Sequence, residues 1–119
     1  MNDKKAERRA QILACARNVF ARRGYHPADI DEIVEAAGVA RGTFYLYFDD
    51  KRAIFAELVD RFLARLHLSI QRIDVEGDIE QQVKANARAV ISLFLQDRAM
   101  TKILLTDAPG LDAEFDRKL

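Results

Sequence analysis

The 119-residue sequence is poor in cysteine, proline and glycine, with one, two and five of each, and it carries no net charge. A single cysteine, Cys15, excludes an intrachain disulfide and a thiolate metal cluster. It lies in ILACARNVF, on or beside an apolar stripe, and reads as a small buried hydrophobe. Few Gly and Pro, beside abundant Ala, Leu, Arg and Glu, favour helix. No run is long and apolar enough to cross a membrane. The first ten residues, MNDKKAERRA, are charged and no apolar run follows them, so no signal peptide is read and the cytoplasm is expected. Zero net charge argues against a general binder of nucleic acid. The two histidines, His26 and His67, lack the i, i+4 spacing of a metal-binding helix, and no nucleophile elbow or phosphate loop occurs. No catalytic residue, no metal site and no cofactor is therefore expected.

What is present fits a globular chain: 50% hydrophobic and 32% charged residues. The charge is segregated. Residues 1–25 carry seven bases against two acids, and residues 26–37 carry Asp29, Asp31, Glu32 and Glu35 with no lysine or arginine. The basic arm can meet an anion although the whole chain is neutral.

Apolar positions recur at helical spacing almost throughout. A first helix is expected over about 4–22, with Ile12, Cys15, Ala16, Val19 and Phe20 inward and Gly24 as its left-handed stop. Asp29 and Glu32 form a capping box for a second helix that ends near Ala37, with Gly38 behind it. A third, short helix runs from about Ala40 to Tyr47. Asp49 or Asp50 caps a fourth, over about 51–74, with the stripe Ile54, Phe55, Leu58, Phe62, Leu66, Ile70 and Ile73. Asp78 and Gln81 box a fifth to about Gln96, with Val83, Ala87, Val90, Ile91 and Phe94 inward. A sixth covers about 99–107, and GLDAEFDRKL looks like the start of another.

Helices two and three, joined by a short turn at Gly38, have the order of a helix-turn-helix. The major groove of B-DNA admits one α-helix, which must be braced from behind. In GVARGTFYLYFDDK, Val39, Phe44 and Phe48 are spaced to brace the third helix. Arg41, Gly42, Thr43, Tyr45 and Tyr47 then point elsewhere. Arg41 can donate twice to a guanine edge. The tyrosine hydroxyls can reach phosphates. Gly42 permits close backbone approach, Thr43 can touch a thymine methyl or a phosphate, and Lys51 can meet a phosphate at the start of helix four.

The stretch GYHPADIDEIVEAAGVARGTFYLYFDDKRAIFAEL resembles the DNA-binding domain of the tetracycline-repressor (TetR) family. The resemblance rests on Phe20, Gly24, Tyr25, Ile30, Ile33, Ala37, Gly38, Val39, Gly42, Thr43, Phe44, Tyr45, Tyr47, Phe48 and Lys51, and covers about residues 8–60. It implies an all-α chain: a homeodomain-like, three-helix helix-turn-helix domain over 1–50, then a long connecting helix and an incomplete helical bundle over 51–119. That second part would be a truncated piece of a ligand-binding and dimerisation domain. The implied function is a repressor on a palindromic double-stranded DNA operator, released by a small-molecule inducer of unknown identity. A homodimer is implied if the carboxy-terminal helices exist. The implied DNA-contact positions are Ala40, Arg41, Gly42, Thr43, Tyr45, Tyr47 and Lys51. The segment KILLTDAPGLDAEFDRKL looks like the family's sixth helix and the loop towards its seventh.

Two features depart from the family pattern. Where the family usually has Thr or Ser at the start of the second helix, this chain has Ala28 and Asp29. Aspartate caps well but repels a phosphate, and Arg8, Arg9 and the basic arm stand as compensation. The family's members are also usually much longer; if nothing more of the chain exists, weakened dimerisation, an incomplete pocket and exposed apolar faces on helices four to six are expected. The competing reading is a helical protein-interaction module that has lost DNA binding, motivated by the acidic second helix. Phe62, Leu66, Ile70, Val90, Phe94, Met100, Ile103 and Leu104 are inducer-pocket candidates by polarity alone.

Overall fold

The computed structural model describes residues 3–107, which form six α-helices and, among the described residues, no strand. They are α1 (Asp3–Arg23), α2 (Ile30–Ala37), α3 (Arg41–Tyr47), α4 (Lys51–Ser69), α5 (Ile79–Gln96) and α6 (Arg98–Thr106). The further helix expected in GLDAEFDRKL lies outside the described residues.

Each boundary has a local cause. α1 buries Ile12, Leu13, Ala16, Val19 and Phe20 along one stripe and stops at Gly24, whose φ is 90°. Burial pushes the Cys15 thiol pKa up, in keeping with its half-buried place beside that stripe. The Asp29–Glu32 capping box at the start of α2 is complete in both directions. At the other end Gly38 stands at φ 69°, its N–H donates to Glu35 O, and Val39 N–H donates to Val34 O, the paired bonds of a Schellman stop. Asp50 caps α4 through the Ala53 N–H at 2.7 Å. Asp78 caps α5 through the Gln81 N–H, while the amide that reaches back is that of Gln82, donating to the carbonyls of Asp74 and Asp78.

Two expectations fail on packing. α4 ends at Ser69, five residues before the expected stop, so it spans about 28 Å. The backbone of Gln71 is claimed by Asn86 of α5: its N–H donates to Asn86 Oδ1 and its carbonyl accepts from Asn86 Nδ2. A helical Gln71 has no such exchange available. Ile70 is consequently exposed rather than part of the stripe. On α5 the expected inward set is also displaced. Leu93 is buried and Phe94 half-buried against Phe62, whereas Val83 and Ile91 face solvent together with Ile79 and Leu95.

One continuous apolar core joins all six helices. Phe20, Tyr25 and Phe55 form its aromatic centre, with ring centroids 4.5–5.8 Å apart. Ile33, Val34 and Ala37 of α2 and Phe44 of α3 enter from one side, and Met100, Ile103 and Leu104 of α6 from the other. Gln11 of α1 ties α2 down by donating to the Ala37 carbonyl at 2.9 Å. Asp97, only 6% exposed, caps α6 through the Met100 N–H and pairs with Arg17 of α1 at 3.2 Å and Arg65 of α4 at 3.0 Å. This carboxylate is the polar joint between three helices.

Candidate nucleic-acid interface

The short helix α3 shows its function in its burial order. From Arg41 to Phe48 the residues run exposed, exposed, half-buried, buried, and then repeat the same four states. A period close to 3.6 makes residues four apart share a face. Phe44 and Phe48 therefore form the inner edge, their rings 5.8 Å apart. Thr43 and Tyr47 flank it, and Arg41, Gly42, Tyr45 and Leu46 form the outer edge.

The inner edge is fixed from α1 and α4. The Arg9 guanidinium lies over the Phe48 ring at 4.6 Å and pairs with Glu57 of α4, which also holds Arg61 at 3.0 Å. The Arg9 bond holds the Glu57 carboxyl below its ordinary range. Arg9 was expected to meet a phosphate; it is spent on Phe48 and Glu57, while Arg8 remains exposed. The half-buried places of Thr43 and Tyr47 follow from their position beside Phe44 and Phe48.

On the outer edge Ala40 is the exposed N-cap residue and makes no side-chain cap bond. Arg41 pairs through Nη1 with Asp31 of α2, and its guanidinium stands 5.9 Å from the Tyr45 ring centroid. Those bonds, Asp31 first and Tyr45 after it, raise the Arg41 pKa further above its ordinary value. A Cβ at Gly42 meets nothing within 4 Å, and its φ lies in the ordinary helical region. Nothing in the fold requires glycine there. Tyr45 is 43% exposed and Leu46 82%. Leu46 was given no role from the sequence; its place two positions after Phe44 and two before Phe48 was the signal that it points outward, where an apolar side chain can meet a thymine methyl.

Lys51 has a different setting. Its ammonium donates to the carbonyls of Tyr25, His26 and Ala28 at 2.7, 3.2 and 2.9 Å, and lies 4.4 Å from the Tyr25 ring centroid. An ammonium has three donors, and the turn between α1 and α2 takes all three. Burial lowers its pKa, against the pull of Asp29. The acidic α2 is likewise partly neutralised: Asp31 by Arg41, and Glu32 by Arg23 at 2.9 Å. The segregated charges of the sequence meet in the fold.

A small helix held by two phenylalanines, with a capped α2 behind it and an arginine, a glycine, a tyrosine and a leucine facing out, is the second half of a helix-turn-helix. Residues 12–58 match the bacterial regulatory proteins of the tetR family. The HTH-type transcriptional regulator YdgC of Bacillus subtilis, described as uncharacterized, is 36% identical over 108 residues, covering 87% of this chain and 55% of its own. Residues 12–58 place that part of the chain in the TetR family. Among solved structures, the fatty acid degradation regulator FadR from Bacillus halodurans matches with a TM-score of 0.75 at 27% identity, over 93% of this chain and 58% of that one. FadR from Bacillus subtilis in complex with stearoyl-CoA matches with a TM-score of 0.71 at 27% identity, over 92% and 59%. The chain spans about half the length of the curated relatives it matches.

Of the inducer-pocket candidates, Phe62, Met100, Ile103 and Leu104 are buried, Leu66, Val90 and Phe94 half-buried, and Ile70 exposed. A groove of about 500 Å³ opens between α1, α4 and α6, lined by Leu13, Leu58, Phe62 and Met100 and edged by Arg17, Arg61, Arg65 and Asp97. Only Phe62 and Met100 of the candidates reach it. Among the described residues, no helix is long and apolar enough to cross a membrane.

Proposed function

We propose that this chain carries the DNA-binding domain of a cytoplasmic transcriptional regulator, a repressor that leaves its operator when a small molecule binds. The observation that carries the reading is the fourfold burial order of α3, which turns Arg41, Gly42, Tyr45 and Leu46 to solvent over a phenylalanine anchor. In this reading residues 1–50 are the DNA-binding domain and 51–119 begin the ligand and dimerisation domain. Arg41 reads a base edge. Ala40 and Gly42 let the backbone come close, and Leu46 meets a thymine methyl. Thr43, Tyr45 and Tyr47 meet phosphates or sugars. Lys51 acts through its charge and by holding the turn before α2, since its donors are engaged.

The partner is a palindromic duplex read by a homodimer, because a twofold protein requires two half-sites about one helical turn apart. Stearoyl-CoA, bound by the Bacillus subtilis relative, is the first inducer to try. The test is selection from random duplexes with this polypeptide. Enrichment of one half-site, with affinity that falls steeply as salt rises, is the expected result. Failure to enrich any sequence, or binding indifferent to salt, would overturn it and favour a protein-interaction module.

A further inference from the structure

We propose that Asp31 determines specificity, holding the Arg41 guanidinium in one pose for a guanine edge while repelling phosphates that would bind it without regard to sequence. This rests on the reading of α3 as the helix that enters the groove. An acid on a DNA-facing surface is costly in general affinity, so its presence calls for a local reason. The core supplies none: Asp31 is 70% exposed on its side chain and contributes nothing to it, and its place in the first turn of α2 favours a carboxylate only modestly. The α2 cap is made by Asp29, and the turn after α2 by Gly38.

What Asp31 does touch is Arg41, the first residue of α3, through Oδ1 and Nη1. The Tyr45 ring, one turn along, has its centroid 5.9 Å from the same guanidinium. A flexible cation is thereby fixed at two points. The carboxylate engages one terminal nitrogen, and a guanidinium has five N–H donors in a planar fork. Donors remain for the two acceptors of guanine, O6 and N7. Oriented in advance, Arg41 loses less freedom on binding. The negative charge beside it penalises the alternative pose in which Arg41 swings to a phosphate.

Positioning and repulsion together give a signature that a purely structural residue lacks. With the duplex recovered by selection, and a second duplex changed only at the preferred guanine, Asp31→Ala should tighten binding to the changed duplex severalfold. The same variant should lower discrimination between the two by roughly tenfold, the scale of one bidentate base contact. Asp31→Asn keeps an acceptor for Arg41 without the charge and should fall between. Glu35→Ala removes an equal charge from α2, from a carboxylate that is not among the groups acting on the Arg41 guanidinium, and should leave discrimination intact. Thermal melts of each variant report that the fold is kept. If the parent chain selects a duplex but Asp31→Ala discriminates as well as the parent, the inference is wrong and the function stands. Equal loss in Glu35→Ala would also sink it, by showing long-range charge alone. If the parent chain selects nothing, both fall together.

Discussion

At the residue scale, the outer edge of α3 separates stability from binding. Glycine inside a helix costs roughly 0.5–1 kcal/mol relative to alanine, and the space around Gly42 is open. Gly42→Ala should therefore raise the melting temperature while weakening DNA binding; a variant that is more stable and binds as well would remove the close-approach role. Phe44→Ala does the reverse, costing about 3–5 kcal/mol of stability as a buried aromatic is lost, readable in denaturant unfolding. Arg41→Ala should cost about 1–3 kcal/mol on the preferred duplex and relax the preference at one base pair. The core places of Phe44 and Phe48 were legible, because they are four apart and helices repeat near that interval; Tyr47, expected outward, instead packs half-buried against the core, and Leu46 takes the outward place. The partners of the charged residues were not legible. That Arg9 covers Phe48, that Lys51 closes the first turn, and that Asp31 meets Arg41 depend on contacts between helices, which spacing within one helix does not contain.

At the element scale, the caps decide where helices begin and end. Gly38 is left-handed with nothing near its absent Cβ, so its substitution by alanine is a conformational cost alone, of about 1 kcal/mol. A larger loss would mean that the α2–α3 angle itself had changed. Asp97 is a stronger case, since it caps α6 and neutralises Arg17 and Arg65. Asp97→Ala should cost about 2–4 kcal/mol, from the lost cap and the cations left facing each other; guanidinium denaturation of the pair measures it. The capped starts of α2, α4 and α5 were visible in the sequence as Asp29, Asp49 or Asp50, and Asp78, because a cap is a local bond; the structure chooses Asp50. The early end of α4 was not visible, because Asn86, fifteen residues on, takes the backbone of Gln71.

At the scale of the whole molecule, a neutral chain binds a polyanion only by keeping its charges apart where the anion lies. Many of the bases are internally matched: Arg9 to Glu57, Arg17 and Arg65 to Asp97, Arg23 to Glu32. Acid weakens this matching in a defined direction. Glu57 has its pKa lowered in the fold from an ordinary 4.5, so its contribution is complete above that value and is lost as the pH falls through the lower, folded one. Glu57→Gln should flatten the acid side of a stability profile below about pH 4.5 and leave the neutral side nearly parallel to the parent. α5 also exposes four large apolar side chains, Ile79, Val83, Ile91 and Leu95. The outer edge of α3 and the exposed side of α5 are therefore alternative binding surfaces, and amide chemical shifts can tell them apart. Titrating the labelled chain with its selected duplex should move the amides of Arg41, Gly42, Tyr45 and Leu46 most and leave those of α5 still. Large shifts confined to α5, with α3 unmoved, would contradict the account.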